Sequence, residues 1–266
     1  MSKVAQTKGI KGNMFELAET PKTLREKKLY KKQKRISRKL ETMVVKNSMN
    51  LIQVNPLTKS QKLAFESFQT RNNLILHGSA GTGKSFVGMY LALKSVLLDL
   101  DYSKLYIVRS AVPTRDIGFL KGSIKEKSEV YEAPYRAICS ELFHRDDSYE
   151  LLKQKSQIEF MTTSYLRGIT LDDCIVLVDE CQNMTFHELD SIITRIGKNC
   201  RVIVSGDTTQ SDFTRDVDKN GVKKFMKILS MTDGFDFVKF THDDIVRGPI
   251  VKSYIITKEQ LENENV

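Results

Sequence analysis

The sequence predicts an α/β fold: a parallel β-sheet flanked by helices. Three observations carry this expectation. The short apolar run Leu74 to Leu76 passes through a glycine-rich loop into a long segment with helical apolar spacing. Two further apolar runs, Ile175 to Val178 and Val202 to Ser205, lead into acidic residues. Strand-sized and helix-sized stretches alternate, the pattern of parallel strands joined by crossover helices.

The elements follow in order. Residues 1–20 mix Gly, Lys and Thr with little periodicity. Thr20 is a candidate N-cap and Pro21 suits a first helical position, so a helix is expected next. Its apolar points, Leu24, Leu29, Ile36 and Leu40, are too sparse for burial. The basic run Lys27 to Lys39 has three readings: a solvated tail, a phosphate-contacting arm for nucleic acid, or a membrane-surface helix with a thin apolar face. From about Asn55 the pattern becomes compact. Strands are expected at Leu74 to Leu76, Leu105 to Val108, Ile158 to Met161, Ile175 to Val178 and Val202 to Ser205. Helices are expected at Phe86 to Leu98, Ser140 to Lys155 and Phe186 to Ile196. The organisation is thus a basic N-terminal extension over 1–50, a nucleotide-binding domain over 51–258 and a C-terminal tail over 259–266.

Charge follows the same division. Residues 1–50 carry 14 Lys+Arg against 4 Asp+Glu, and the remainder of the 266-residue chain carries 28 against 29. The net charge of +9 therefore belongs to the extension. No run of about 18 apolar residues is present, so no membrane helix is expected. The N-terminus lacks the apolar stretch of a secretory signal. The four cysteines, Cys139, Cys174, Cys181 and Cys200, are scattered and form no C-x-x-C pair. They read as reduced thiols of a cytoplasmic protein, with no zinc site; a redox or nucleophilic cysteine is the lesser alternative, because no His/Asn constellation supports it.

Gly78-Ser79-Ala80-Gly81-Thr82-Gly83-Lys84-Ser85 matches G-x-x-x-x-G-K-[ST], between an expected strand and an expected helix. Gly81 and Gly83 permit backbone angles that let successive N–H groups face phosphate oxygens. The following helix N-terminus adds its dipole. Lys84 supplies charge for the β- and γ-phosphates, and the Ser85 hydroxyl is a candidate Mg²⁺ ligand. The strand Ile175 to Val178 delivers Asp179 and Glu180 at its C-terminal end, where ligands bind in such sheets. Asp179 is a candidate for the Mg²⁺ shell, and Glu180 is the candidate general base that polarises water. Ser205-Gly206-Asp207-Thr208-Thr209-Gln210 repeats the strand–glycine–polar design, with Gln210 as a candidate γ-phosphate sensor. ATP and Mg²⁺ are the implied cofactors.

Together these motifs resemble the PhoH family of P-loop ATPases, which is related to the first motor domain of superfamily 1 helicases and has a RecA-like core. The resemblance runs from about Asn55 to Tyr254. It includes Leu57 to Gln61, Ile117 to Gly122 with Glu126-Lys127, and Leu166-Arg167-Gly168 with Thr170-Leu171. It continues through D-E-C-Q-N at Asp179 to Asn183, Thr194 to Gly197, and Asp244 to Arg247. Cys181 replaces the family's usual alanine, Ser110 its usual proline and Ile169 a usual polar residue. The resemblance implies Mg²⁺-dependent ATP hydrolysis coupled to RNA or single-stranded DNA in a homo-hexameric ring. It further implies an arginine donated by a neighbouring subunit, with Arg195 and Arg247 as candidates. Gln61 resembles the helicase glutamine that reads adenine. Only 56 residues follow Gln210, too few for a second motor domain, so translocation would need a ring or a partner. The competing reading is a module whose assembly is controlled by nucleotide, without motor activity. A small-molecule kinase is disfavoured by the D-E and G-D-x-x-Q motifs.

Overall fold

A computed structural model of the chain describes residues 50–110, 124–166, 168–207 and 216–264. The basic extension with its expected helix, the Ile117 to Gly122 stretch, Arg167 and Gln210 lie outside the described residues. Six parallel strands form one sheet: β1 (Asn73–Gly78), β2 (Lys104–Arg109), β3 (Ile158–Thr162), β4 (Cys174–Val178), β5 (Cys200–Gly206) and β6 (Phe235–Phe240). Their order is β3-β2-β4-β5-β1-β6. β5 thus separates the strand that leads into the phosphate loop from the strand that leads into Asp179.

All five residues of β4 are buried, as expected for a strand covered on both faces. Alternate residues feed two cores. Leu74, Leu76, Ile175, Leu177 and Ile203 face one, while Ile75, Val176, Val178, Val202 and Val204 face the other. The first core is covered by α1 (Lys59–Gln69), α2 (Lys84–Leu97), α3 (Ile124–Phe143) and α4 (Ser148–Gln154), through residues such as Phe68, Leu91, Tyr135 and Tyr149. The second is covered by α5 (Phe186–Ile193) and α6 (Asp216–Ser230), through Leu189, Ile192, Val222 and Phe225. A last helix, α7 (Pro249–Glu264), follows β6.

Two helices differ from the sequence expectation. Ser140 to Lys155 is not continuous: α3 stops at Phe143, and His144 takes a left-handed backbone with φ 50°. Ser140 Oγ bonds Asp146 Oδ1 at 2.6 Å and closes the turn before α4. The expected Phe186 to Ile196 helix ends at Ile193, because Ile196 leaves to bridge Leu171 beside the sheet. β6 escaped the sequence reading, although Val238 and Phe240 are fully buried on it. Residues 259–264, read as tail, are the last turns of α7.

Candidate functional site

β1 ends at Gly78, and α2 begins at Lys84 behind Gly83 in a left-handed conformation. The loop between them is held by its carbonyls. Gly78 O and Ser79 O each accept from Lys84 Nζ at 2.7 Å. Gly81 O accepts from Val246 N at 3.1 Å, and Thr82 O from Gln61 Nε2 at 3.1 Å. In planar trans peptides the N–H points opposite to the C=O. With the Ser79, Gly81 and Thr82 carbonyls so engaged, the N–H groups of Ala80, Thr82 and Gly83 each point away from those partners. Gly78 carries φ 120° and lies so close to β6 that a Cβ would overlap the Phe240 carbonyl.

The two motifs meet at one contact: Ser85 Oγ donates to Asp179 Oδ1 at 2.8 Å. The other carboxylate oxygen of Asp179 accepts from Tyr135 Oη at 2.9 Å. Burial, and then the neighbouring Asp179 charge, push the Tyr135 phenol well above its usual range, so it stays a donor. Asp179 is buried, whereas Glu180, next along, is half-buried with a left-handed backbone of φ 54°. That strained turn leads into the short 3₁₀ turn Cys181–Asn183. Burial and the Asp179 charge raise the Glu180 pKa, while Arg109, Gln182 and Lys84 oppose the rise. Burial lowers the Lys84 pKa, against the pull of Asp207, Glu180 and Asp179.

Gln182 links the second and third motifs. Its amide nitrogen donates to Glu180 Oε2, and its oxygen accepts from the Asp207 backbone N–H at 3.0 Å. Gly206 allows this: a Cβ there would collide with Cys181 Sγ and Gln182 Oε1. The small Cys181 side chain suits the same constraint.

The segment after β6 packs on the phosphate loop of the same chain. A Cβ on Gly81 would stand 3.1 Å from Arg247 Cγ and 3.2 Å from Ile255 Cδ1. Ser79 Oγ donates to Glu259 Oε2 at 3.2 Å, and His242 Nε2 lies 2.6 Å from the same oxygen. Asp244 accepts from Ser60 and Thr241, tying this segment to the first turn of α1.

The sequence candidates divide as follows. Gly78 to Ser85, Asp179, Glu180, Gln61 and Arg247 cluster at the C-terminal end of the sheet. Gln61 is buried and uses both ends of its amide, accepting from Leu57 N at 2.8 Å besides its bond to Thr82. Arg195 stands apart. Its carbonyl accepts from Leu171 N just before β4, so it lies at the opposite end of the sheet. Its Nε is buried without a hydrogen-bond partner. Tyr135, Arg109 and Glu259 were missed by sequence reasoning, because each comes from outside the motifs and carries no local signature.

The hydroxyl and carboxylate at Ser85 and Asp179 are hard oxygen donors that fit Mg²⁺. Among the described residues no group of three or more His, Cys, Asp or Glu could hold a metal. Also among the described residues, no helix is long and apolar enough to cross a membrane.

A sequence model of the family described as PhoH-like protein matches residues 53–258. A PhoH-like protein of Synechocystis is 31% identical over 211 residues, covering 79% of this chain and 63% of its own length. A PhoH-like protein of Bacillus subtilis is 33% identical over 187 residues, covering 70% of this chain and 58% of its own length. The chain thus matches less than two thirds of these relatives. Among solved structures, the large terminase of a thermophilic bacteriophage, in complex with ADP, aligns at a TM-score of 0.43 and 12% identity. That alignment covers 75% of this chain and 49% of the terminase.

Proposed function

This chain belongs to the PhoH-like protein family, and from that premise we propose that it is an Mg²⁺-dependent ATPase. The observation that carries the reading is the 2.8 Å bond between Ser85 and Asp179, which joins the phosphate loop to the strand that bears Glu180. Ser85 and Asp179 would hold the ion, which when bound neutralises phosphate charge. Lys84 binds the β- and γ-phosphates, exchanging its bonds to Gly78 and Ser79 for phosphate oxygens. The loop N–H groups orient the triphosphate. Glu180, its pKa raised toward the working range of a base, takes the proton of the attacking water. Gln182 holds Glu180 in place and connects it to Asp207. Gln210 follows three residues later in sequence and serves as γ-phosphate sensor.

Coupling to RNA or single-stranded DNA in a homo-oligomeric ring belongs to the same proposal. In that ring Arg195, remote from its own phosphate loop, is the candidate to serve a neighbour's site. The basic extension supplies phosphate contacts. The test is ATP turnover by the intact chain with and without single-stranded RNA and DNA, beside Glu180→Gln and a chain starting at Asn50. Turnover lost in Glu180→Gln and stimulated by nucleic acid is expected. Undiminished turnover in the variant removes Glu180 as base. Absence of both binding and stimulation removes the nucleic-acid coupling and favours a nucleotide-controlled assembly module.

A further inference from the structure

The four cysteines are scattered in sequence, but the fold pairs two of them. Cys174 is the first residue of β4 and Cys200 the first of β5, and they are direct partners in the parallel register. Their Sγ atoms lie 3.3 Å apart. Adjacent strands run about 4.7–4.9 Å apart, within the Cα span that a disulfide bridges. The sulfurs need to approach by only roughly 1 Å to reach bonding distance. The turns before the two strands match: Asp173 and Asn199 both have φ 54°, and Asn199 Nδ2 donates to Asp173 Oδ1 at 2.6 Å. That bond keeps the two strand starts level.

We propose that Cys174 and Cys200 form a site of reversible disulfide formation that staples β4 to β5 at the end of the sheet remote from the phosphate loop. Cys174 is buried and Cys200 is half-buried, so Cys200 meets the oxidant first. Its thiol is also the acidic one. A hydrogen bond from Cys174 is the largest influence and lowers the Cys200 pKa, helped by the backbone N–H groups of Cys174 and Gly197 and opposed by burial and Asp172, while Cys200 Sγ also lies 2.8 Å from the Leu171 carbonyl. The same pairing drives Cys174 up. Burial pushes Cys139 and Cys181 to about 12, so both stay protonated and unreactive at neutral pH.

A low-molecular-weight disulfide is the oxidant. The Cys200 thiolate attacks one of its sulfurs; that S–S bond breaks, a mixed disulfide forms and one small thiolate leaves. Cys174 gives its proton to water and attacks Cys200 Sγ, displacing the second small thiolate. Two protein thiols are oxidised and one small disulfide is reduced to two thiols, so atoms and both electrons balance. The closed loop, residues 174–200, encloses Asp179, Glu180, Gln182 and α5. The proposal stands independently of ATP hydrolysis.

The test treats the folded full-length protein with excess oxidised glutathione, followed by thiol counting, mass spectrometry of tryptic peptides and urea unfolding. The expected result is a fall from four thiols to two and one intramolecular Cys174–Cys200 peptide. The urea midpoint should rise, and dithiothreitol should reverse every change. Cys174→Ser should stop at one glutathione on Cys200, and Cys200→Ser should leave Cys174 unmodified. Four thiols persisting in the folded protein overturn the proposal. So does stable glutathionylation of wild-type Cys200, or a cross-link between two chains.

Discussion

Tyr135 Oη donates a 2.9 Å hydrogen bond to one oxygen of Asp179, while Ser85 Oγ holds the other oxygen at 2.8 Å. A helix outside every motif therefore fixes the carboxylate proposed to face the metal. Outer partners of this kind commonly tune metal affinity by about 10–100-fold. Tyr135→Phe keeps the ring packing and removes only the donor. The expected outcome is an Mg²⁺ half-saturation for nucleotide binding raised by about 10-fold. Turnover at saturating Mg²⁺ should change little. Titration of Mg²⁺ against a fluorescent nucleotide measures the first quantity without relying on hydrolysis. An unchanged Mg²⁺ curve would remove Tyr135 from the positioning role.

Glu180→Gln separates catalysis from stability. Loss of a general base typically costs about 10²–10⁴-fold in turnover. Nucleotide binding should persist, because Lys84 and the loop N–H groups remain. Burial and Asp179 raise the Glu180 pKa in the folded protein above its usual 4.5. A raised folded pKa means a contribution to stability that is full below the unfolded pKa and lost as pH rises through the folded one. At neutral pH the charged Glu180 is therefore a burden that glutamine lifts. The variant should melt higher than wild type near pH 7–8, and the difference should shrink as pH falls toward about 4. Thermal melts across that range check the sign. A variant less stable than wild type at neutral pH would contradict it.

How far the sequence reaches depends on whether the determining contact is local. Gly78 to Ser85 and the β4 run through Asp179-Glu180 are legible because spacing along one chain segment creates the chemistry. Core strands β1, β2, β4 and β5 are legible from continuous apolar runs. β6 alternates as Phe-Asp-Phe-Val-Lys-Phe, and its identity depends on pairing with β1. The break at His144 depends on a left-handed residue with no glycine to announce it. Tyr135 is 44 residues from Asp179, and Cys174 is 26 from Cys200. Nothing local marks either pair; only the sheet register and helix placement bring them together.

Gly78 and Gly234 offer a graded test of the loop's foundation. Both have positive φ, 120° and 84°, but a Cβ at Gly234 meets open space while one at Gly78 overlaps the Phe240 carbonyl. Gly234→Ala should cost about 1–2 kcal/mol, the left-handed penalty alone. Gly78→Ala adds a backbone collision in the β1–β6 ladder and should exceed about 4 kcal/mol, enough to threaten folding. Urea midpoints, or soluble yield where folding fails, rank the two. Equal costs would mean that β6 moves aside freely.

Asp244 pins the segment beside the phosphate loop. Burial would raise its pKa, but hydrogen bonds from the Thr241 backbone, Thr58 and Ser60 outweigh burial and lower it. A lowered folded pKa means stability that is full above the unfolded value and lost as pH falls through the folded one. Asp244→Asn should cost about 1–3 kcal/mol at pH 7. The gap should narrow below about pH 4, where the wild-type carboxylate takes up its proton. Urea unfolding at pH 7 and pH 3 distinguishes this from a pH-independent packing loss. Because Val246 N bonds Gly81 O, nucleotide affinity should weaken in parallel.

Arg247 and Arg195 lie toward opposite ends of the sheet, and that separation makes their roles distinguishable. Arg247 packs on Gly81 of its own loop, whereas Arg195 follows α5 and bonds back to Leu171 at the start of β4. If Arg195 stabilises charge at a neighbour's site, Arg195→Ala should lose on the order of 10³-fold in turnover. Glu180→Gln is inactive for a different reason, the missing base. Mixing the two variants creates sites with an intact Glu180 on one chain and an intact Arg195 from the next, so turnover should partly return. Mixing Arg247→Ala with Glu180→Gln creates no such site if Arg247 serves its own loop, and turnover should stay low. Recovery in the second mixture and none in the first would reverse the assignment. Recovery in neither, with mixed assemblies demonstrated by mass, would mean that neither Arg195 nor Arg247 serves a site on another copy.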